Sequence, residues 1–329
     1  MAKKRVVKVA VIGAGGMSSR VHCPSLAKLP DVQLVGLCDL VPGKAEALAA
    51  KIPFKATFTD YRKMLDETKP DAVYVLMPPH HLFDIAMDVV DRGHALFVEK
   101  PPALTAFQAE CLGRAADRKK LVTATGFQRR FHPLFVRCQK EVAAGGPIHQ
   151  VVATFYKNCT PKPGVDHYPY YRGAIDILTS DAIHAVDMCR FYAGGSVVHV
   201  ASAIRKSDCW FNTAFNAIIT FDNGATAILL ANWRTGGRRL CLEMHSPGYS
   251  AFANADGAAE VIGGEKSETI FRSTYTEVAG SQEEFIAQGF LAQARAFIDA
   301  VKRGKSGHNS ITDGARTMRL VEQIYASTL

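Results

Sequence analysis

The sequence lacks the cysteine pattern of a disulfide framework or a zinc site. Its eight cysteines include no C-x-x-C pair, and several lie in apolar segments, which is typical of reduced thiols in a protein core. The histidines are scattered without the spacing of metal ligands. We therefore predict neither a disulfide-bonded scaffold nor a metal site.

Long hydrophobic runs are missing too. No segment has the length of a membrane span, and no cleavable apolar core follows Lys3-Lys4-Arg5, because a β-rich run begins at once. We expect a cytoplasmic protein with no membrane partner. The net charge is +8, but the basic residues are dispersed and form no stripe interleaved with aromatic residues, so we also expect no nucleic-acid partner.

The chain of 329 residues is long for one domain and sufficient for two. Up to about Gly126, apolar β-rich runs alternate with helical segments, a pattern that predicts an α/β domain with a doubly wound parallel sheet. Beyond it, longer strands between Ile148 and His245 and a hairpin signal at Asn223-Gly224 predict an α+β domain. Its open sheet should be predominantly antiparallel.

The start of the chain carries a dinucleotide-binding pattern. An apolar run from Val7 to Ile12 leads into G-A-G-G-M-S, where Gly13 and Gly15 allow a tight turn and a close approach of the backbone to a pyrophosphate. Ser18 occupies the third glycine position and is small enough to be tolerated. The pattern predicts a Rossmann dinucleotide-binding domain over residues 1–125. Residues 126–329 are expected to form a second domain for substrate binding and oligomerisation.

Asp39 ends the second apolar run, 21 residues after Ser18, where an acidic side chain would bind the hydroxyls of the adenosine ribose. A carboxylate there repels the 2′-phosphate of NADP, and no basic residue follows it directly. The cofactor is therefore expected to be NAD in preference to NADP.

Two further motifs carry candidate catalytic groups. Glu99-Lys100-Pro101 follows the fifth predicted strand, at the sheet edge where ligands lie, so Lys100 could hold a developing alkoxide. An ordinary surface ion pair is the alternative. His184 lies in a predicted helix with Asp181 and Ser180 on its own face, and a carboxylate there could orient the ring of a general base. A structural histidine is the alternative.

The assembled motifs resemble those of the glucose–fructose oxidoreductase, inositol dehydrogenase and rhizopine catabolism (Gfo/Idh/MocA) family of NAD(P)-dependent sugar and polyol oxidoreductases. The resemblance covers nearly the whole chain, and the E-K-P strand end is its most specific element. The motifs that carry it are V-A-V-I-G-A-G-G-M near the start, the Met77-Pro78-Pro79 strand end, G-H-A-L-F-V-E-K-P-P at 93–102, G-F-Q-R-R-F-H-P at 126–133, I-H-A-V-D at 183–187 and S-I-T-D-G-A-R-T-M at 310–318.

The resemblance implies roles for individual residues. Lys100 matches the family's catalytic lysine, and His184 matches the histidine expected to act as general acid and base. The family usually has an aspartate four residues before that histidine, where this chain has Ser180. Asp181 could substitute from the same helical face as the third catalytic member, which leaves the choice between Ser180 and Asp181 open.

Other residues are expected to bind cofactor or substrate. Arg130 could hold a carboxylate or sugar hydroxyls, although a domain-linking salt bridge is the alternative. Tyr171 belongs to an aromatic loop on which a sugar face could stack; a packed aromatic cluster is the alternative. The predicted cofactor-binding residues are Gly13, Gly15, Gly16, Met17, Ser18, Asp39, Met77, Pro78, His81, Glu99 and Lys100, and the predicted substrate-binding residues are Lys100, Arg130, Tyr171 and His184.

We therefore predict an oxidoreductase that moves hydride between nicotinamide and a secondary alcohol of a sugar, sugar acid or cyclic polyol. Two alternatives stay open: a glycosidase or epimerase that uses NAD without net redox change, and a non-catalytic dinucleotide-sensing regulator. Apolar positions on both faces of the predicted second sheet are better buried than exposed. A homodimer or homotetramer packed through this sheet is therefore expected.

Overall fold

The computed structural model describes residues 5–159 and 175–329. It contains two compact units, one formed by the chain up to Phe127 together with Glu284–Arg316, and one formed by Gln128–Glu283 with Thr317–Leu329. The predicted domains, 1–125 and 126–329, place Glu284–Arg316 in the second domain, whereas this segment lies in the first compact unit.

The first unit is built on a six-stranded parallel sheet with the order β3-β2-β1-β4-β5-β6, which confirms the predicted doubly wound α/β fold. Its strands are β1 Val7–Ile12, β2 Val32–Cys38, β3 Thr57–Phe58, β4 Ala72–Val75, β5 Ala95–Val98 and β6 Thr123–Thr125. The helices that follow the first five strands are α1 Cys23–Ala27, α2 Pro42–Ala49, α3 Tyr61–Thr68, α4 Pro79–Asp91 and α5 Ala106–Arg118.

Strand β1 is buried on both faces, as its nearly continuous apolar run predicts. Val7, Val9 and Val11 point into one hydrophobic cluster, whereas Ala10 and Ile12 point into the other. The strand is therefore central to both layers of the core, and the glycine turn begins at its carboxyl end.

The second unit contains a mixed eight-stranded sheet with the order β14-β13-β12-β11-β7-β10-β9-β8. Its strands are β7 Gln150–Asn158, β8 Val197–Arg205, β9 Ala214–Phe221, β10 Thr226–Asn232, β11 Arg234–Ser246, β12 Tyr249–Asn254, β13 Ala258–Gly263 and β14 Glu268–Thr274. The predicted antiparallel character is confirmed for most pairs, but β7 and β10 pair in parallel. The predicted hairpin at Asn223-Gly224 joins β9 and β10, with Gly224 at a φ of +82°.

Helices pack against the second sheet. α6 Pro133–Val142 packs on β11, β12 and β13, α7 Ile183–Ala193 packs on β7 and β10, and α8 Tyr275–Ala279 follows β14. On other positions of the sheet, apolar side chains remain open to solvent in the monomer, with Ile218 exposed by 54% and Phe252 by 41%.

The chain ends with α9 Glu284–Ala287, α10 Phe290–Arg303 and α11 Ile311–Ala326. Gly289, at a φ of +89°, separates α9 from α10. Only glycine adopts this backbone conformation readily. Among the described residues, none of the helices combines the length and the apolar character that crossing a bilayer requires.

All eight cysteines are free thiols, as the sequence pattern predicts. Burial raises the pKa of Cys23, Cys138 and Cys189 to about 12 each. These thiols therefore stay protonated at neutral pH and behave as small apolar core residues.

Candidate functional site

The glycine turn follows β1 and is sterically specified at Gly13. Its φ is +101°, and a Cβ added there would lie 2.5 Å from the carbonyl oxygen of Leu76, so only glycine is accommodated. A Cβ added at Gly15 or Gly16 would meet no described atom within 4 Å. The backbone of Gly15 and Gly16 therefore borders open space, as close approach of a pyrophosphate requires.

Ser18 has a structural role that the sequence analysis did not foresee. Its side chain is buried, and its hydroxyl donates a short hydrogen bond to the carbonyl oxygen of Gly13. Ser18 also begins a π-helical turn, Ser18–His22, which continues into α1. The residue at the third glycine position thus ties the helix start to the turn, in a helical form that is often found at functional sites.

Asp39 holds the turn from the neighbouring strand. One carboxylate oxygen accepts the N–H of Ala14 at 2.8 Å, and the other accepts the N–H of Val41 at 2.9 Å. Asp39 is half-buried, and a carboxylate has about four lone-pair sites, so it can also accept ribose hydroxyls. The turn, the open space beside it and this carboxylate fit a dinucleotide, and Gly13, Gly15, Gly16 and Asp39 are the residues that would hold it.

The carboxyl ends of the next strands continue this edge. Met77 and Pro78 follow β4, and the sulfur of Met77 lies 3.0 Å from where a Cβ of Gly13 would be. His81 is exposed in the first turn of α4, with its ring 4.2 Å from that of His80. Met17 is half-buried beside the turn. The positions of these residues at the sheet edge are compatible with the predicted contacts to a cofactor. Those contacts stay predictions.

Glu99 and Lys100 follow β5 at the same edge. Lys100 is half-buried, and its peptide bond to Pro101 is cis. Glu99 is buried, with one oxygen 2.5 Å from Nε2 of His22 and the other accepting the Lys100 N–H at 2.9 Å. The carboxylate predicted to bind cofactor is therefore engaged within the protein. Its predicted cofactor contact remains a prediction.

His22 is the residue that the sequence analysis missed. Its ring lies 5.3 Å from that of Phe97 and 5.5 Å from that of Phe290, both edge-on. A histidine four residues after Ser18 in the helix behind the glycine turn is the only sequence signal. That signal gives no indication of a partner 77 positions away.

In the second unit, His184 lies in the first turn of α7 and is 6% exposed. A second π-helical turn, Leu178–Ala182, precedes it. This turn widens the helix, so the α-helical spacing used to pair His184 with Asp181 does not apply across it. Asp181 instead forms a short ion pair with Lys157 of β7, and Ser180 is buried. The choice between Ser180 and Asp181 as the third catalytic member stays a prediction.

Arg130, predicted to bind substrate, is buried in an ion pair with Asp187. Its Nε lies 2.7 Å from one carboxylate oxygen of Asp187 and its Nη2 lies 2.5 Å from the other, and the two side chains are 0% and 1% exposed. Thr317 donates a further bond of 2.7 Å to the same carboxylate. Arg130 and Asp187 belong to the same compact unit, so this pair is not the domain-linking salt bridge considered as the alternative, and substrate binding by Arg130 stays a prediction. Tyr171 and its loop lie outside the described residues.

In the described part of the chain, no three side chains of histidine, cysteine, aspartate or glutamate converge as a metal site. The chemistry-bearing groups fall into two sets. The glycine turn, Asp39, Glu99 and Lys100 lie along one sheet edge of the first unit, and His184 and Asp181 lie at the start of α7 in the second.

Comparison with known proteins gives matches along most of the chain. A family model described as the GFO/IDH/MocA oxidoreductase family with an NAD-binding Rossmann fold matches residues 7–127. A second model, the GFO/IDH/MocA C-terminal domain, matches residues 138–264.

Individual relatives are similar over different lengths. The NAD(+)-dependent scyllo-inositol 2-dehydrogenase of Bacillus subtilis (strain 168) is 24% identical over 340 residues, covering 98% of this chain and 93% of the relative. D-glucoside 3-dehydrogenase of Escherichia coli (strain K12) is 30% identical over 200 residues, covering 60% of this chain and 57% of the relative. The crystal structure of GenD2 from gentamicin A biosynthesis, in complex with NAD, has a TM-score of 0.79 at 25% identity, covering 98% of this chain and 94% of that one.

Proposed function

Because the chain belongs to the GFO/IDH/MocA family of oxidoreductases with an NAD-binding Rossmann fold, we propose that it is an NAD-dependent dehydrogenase for a secondary alcohol. The substrate class is a sugar, sugar acid or cyclic polyol. Relatives named for scyllo-inositol and for D-glucosides support this class.

One arrangement in the first unit carries the proposal. Gly13 follows β1, Met77 follows β4 and Lys100 follows β5, and these three strands are direct neighbours in the parallel sheet. In open α/β sheets, ligands bind at the carboxyl ends of the strands. A lysine therefore lies along the same sheet edge as the turn that would hold the dinucleotide.

The proposed chemistry divides between cofactor and protein. When bound, NAD supplies the hydride acceptor. The ammonium of Lys100 donates to the substrate hydroxyl oxygen and stabilises the alkoxide character that develops there. His184 accepts the hydroxyl proton as general base and returns a proton in the reverse reaction. Asp181 or Ser180 supports the histidine as the third member.

A screen for NADH formation tests this function. Sugars, inositols and sugar acids are supplied at alkaline pH with NAD or NADP, and absorbance reports the reduced cofactor. We expect a steady rise with at least one polyol or sugar and with NAD. Substrate conversion without accumulation of NADH would instead indicate the glycosidase or epimerase activity. Dinucleotide binding without any turnover would indicate the sensing regulator.

Cofactor choice is testable through Asp39. Replacement of Asp39 by alanine should remove the repulsion of a 2′-phosphate and relax the preference toward NADP by roughly 1–3 kcal/mol. Asp39→Asn is the matched variant, because it keeps an acceptor for the N–H of Ala14 or Val41 while removing the charge. Dissociation constants for NADH and NADPH measure the effect. Tighter binding of NADPH than NADH by the native protein would show that the role assigned to Asp39 is wrong.

The proposal includes a cytoplasmic homodimer or homotetramer packed through the second sheet. Its support is the exposure of Ile218 and Phe252 in the monomer, since apolar side chains on a sheet face are stabilised by burial. Light scattering coupled to size-exclusion chromatography should give a multiple of 35.8 kDa. A species of 35.8 kDa alone would contradict the oligomer.

A further inference from the structure

His22 and Glu99 form a buried pair that the proposed chemistry does not use. His22 is 2% exposed and Glu99 is 8% exposed, and the 2.5 Å between Nε2 and Oε1 is characteristic of a charge-assisted hydrogen bond. Burial raises the pKa of Glu99, whereas the hydrogen bond from His22 and the charge of the nearby Lys100 lower it. The lowering effects together are larger, so the pKa of Glu99 is below its usual value. Glu99 is therefore ionised at neutral pH, and His22 is the donor.

Neighbouring residues pack against the His22–Glu99 pair on both sides. The ring of His22 contacts Phe97 and Phe290 edge-on and lies 6.1 Å from the ring of Tyr74. On the opposite side, a Cβ at Gly126 would lie only 3.1–3.2 Å from atoms of Glu99, so the backbone there closes over the carboxylate. Both side chains are buried among these closely packed neighbours.

The same carboxylate reaches the lysine. Its second oxygen accepts the backbone N–H of Lys100 at 2.9 Å. A continuous path therefore runs from the helix behind the glycine turn, through His22 and Glu99, to the backbone from which the Lys100 side chain extends. It joins the element that would bind the pyrophosphate to the element that carries the proposed catalytic group.

We propose that His22 is a positioning residue for Lys100, acting through Glu99, so that the glycine-turn helix sets where the lysine ammonium is held. The inference rests on the proposed catalytic role of Lys100. Glu99 acts through its second oxygen, which accepts the Lys100 N–H and fixes the backbone from which the lysine side chain extends. A displacement of a catalytic group by about 1 Å can cost about 10²-fold in rate. Loss of the bond between His22 and Glu99 should therefore have a measurable effect on kcat.

The first test compares substitutions of His22. His22→Leu removes the donor, and kcat should fall by about 10²-fold while the dissociation constant for NADH stays nearly unchanged. His22→Gln keeps an N–H donor for Glu99 and should recover most of the lost kcat. Tyr74→Phe is the matched control, because it alters the same aromatic cluster and its hydroxyl has no hydrogen-bond partner among the described residues. Its kcat should equal that of the native protein.

The second test removes the charge of Glu99. Glu99→Gln keeps an acceptor for the Lys100 N–H but removes the carboxylate charge to which His22 donates, so kcat should fall while the dissociation constant for NADH stays nearly unchanged. A purely structural pair would leave the kcat of the folded variant unchanged.

The outcomes separate the two proposals. Native kcat in His22→Leu, with Lys100→Met inactive, would overturn the positioning role and leave the proposed function standing. High activity in Lys100→Met would instead contradict the proposed function. If His22→Leu does not fold, Glu99→Gln decides. An unchanged kcat in the folded Glu99→Gln variant would overturn the positioning role.

Discussion

Replacement of His184 by alanine, or of Lys100 by methionine, is expected to lower kcat for the true substrate strongly. General acid–base catalysis alone is typically worth about 10²–10⁴-fold. NAD affinity should stay nearly unchanged, because the residues expected to hold the dinucleotide are the Gly13–Ser18 turn and Asp39. Steady-state kinetics and a separate binding titration with NADH distinguish the two effects.

The double variant and the pH profile refine this expectation. If Lys100 and His184 serve one proton-transfer event, the double variant should be much less than multiplicatively worse than either single variant. Loss of His184 should remove the lower ionisation that governs alcohol oxidation, whereas loss of Lys100 should perturb it.

His132→Gln provides the control for a buried histidine. Burial, with the nearby Arg129 charge, lowers the pKa of His132 to about 3, so this ring is neutral above that pH and supplies no ionisation near neutrality. The pH profile of the His132 variant should match that of the native protein. Near-native kcat in His184→Ala would contradict the general-base assignment and direct attention to Lys100 with Asp181 or a loop tyrosine.

The second large effect is expected on stability, at the buried pair of Arg130 and Asp187. Asp187→Ala removes the carboxylate that balances a guanidinium with 0% exposure, and breaking a buried pair in this way costs about 3–5 kcal/mol. This is a large share of the ~5–15 kcal/mol by which domains are typically stable. Because Asp187 lies on α7, three residues after His184, the loss should also disturb the proposed general base.

Urea unfolding followed by circular dichroism measures this loss. A double variant, Arg130→Met with Asp187→Leu, should recover much of the stability, because the guanidinium of Arg130 is then no longer buried without its carboxylate. Glu322→Ala, at a half-exposed ion pair with Arg319 on α11, is the matched control and should change the midpoint far less. Equal midpoints for Asp187→Ala and Glu322→Ala would show that the buried pair contributes little.

The parallel sheet of the first unit was predicted almost completely because its signals are local. Each apolar run of β1, β2, β4 and β5 ends at a residue that breaks the pattern, and a helix follows it within a few positions. The prediction of the second sheet was less complete. β12 to β14 were missed because Y-S-A-F-A-N and A-A-E-V-I-G contain small and polar residues. These strands are stabilised by pairing in sequence, β12 with β11, β13 with β12 and β14 with β13, rather than by their own propensity.

The candidate site shows the same division. The sequence alone placed Gly13 in the turn after β1, Asp39 after β2, Lys100 after β5 and His184 on a helix. It could do so because steric freedom, charge and strand ends are properties of short segments.

Only the tertiary structure decided the partners of the charged groups. Glu99 binds His22, Asp181 binds Lys157 and Arg130 binds Asp187, across separations of 77, 24 and 57 residues. The two π-helical turns were also decided only by the tertiary structure. One extra residue in a helical turn depends on the packing around it and leaves no periodic signal in the sequence. A charged side chain reveals its chemistry in the sequence, but its buried partner is selected by the fold, since desolvation makes an unpaired charge costly wherever the chain brings it.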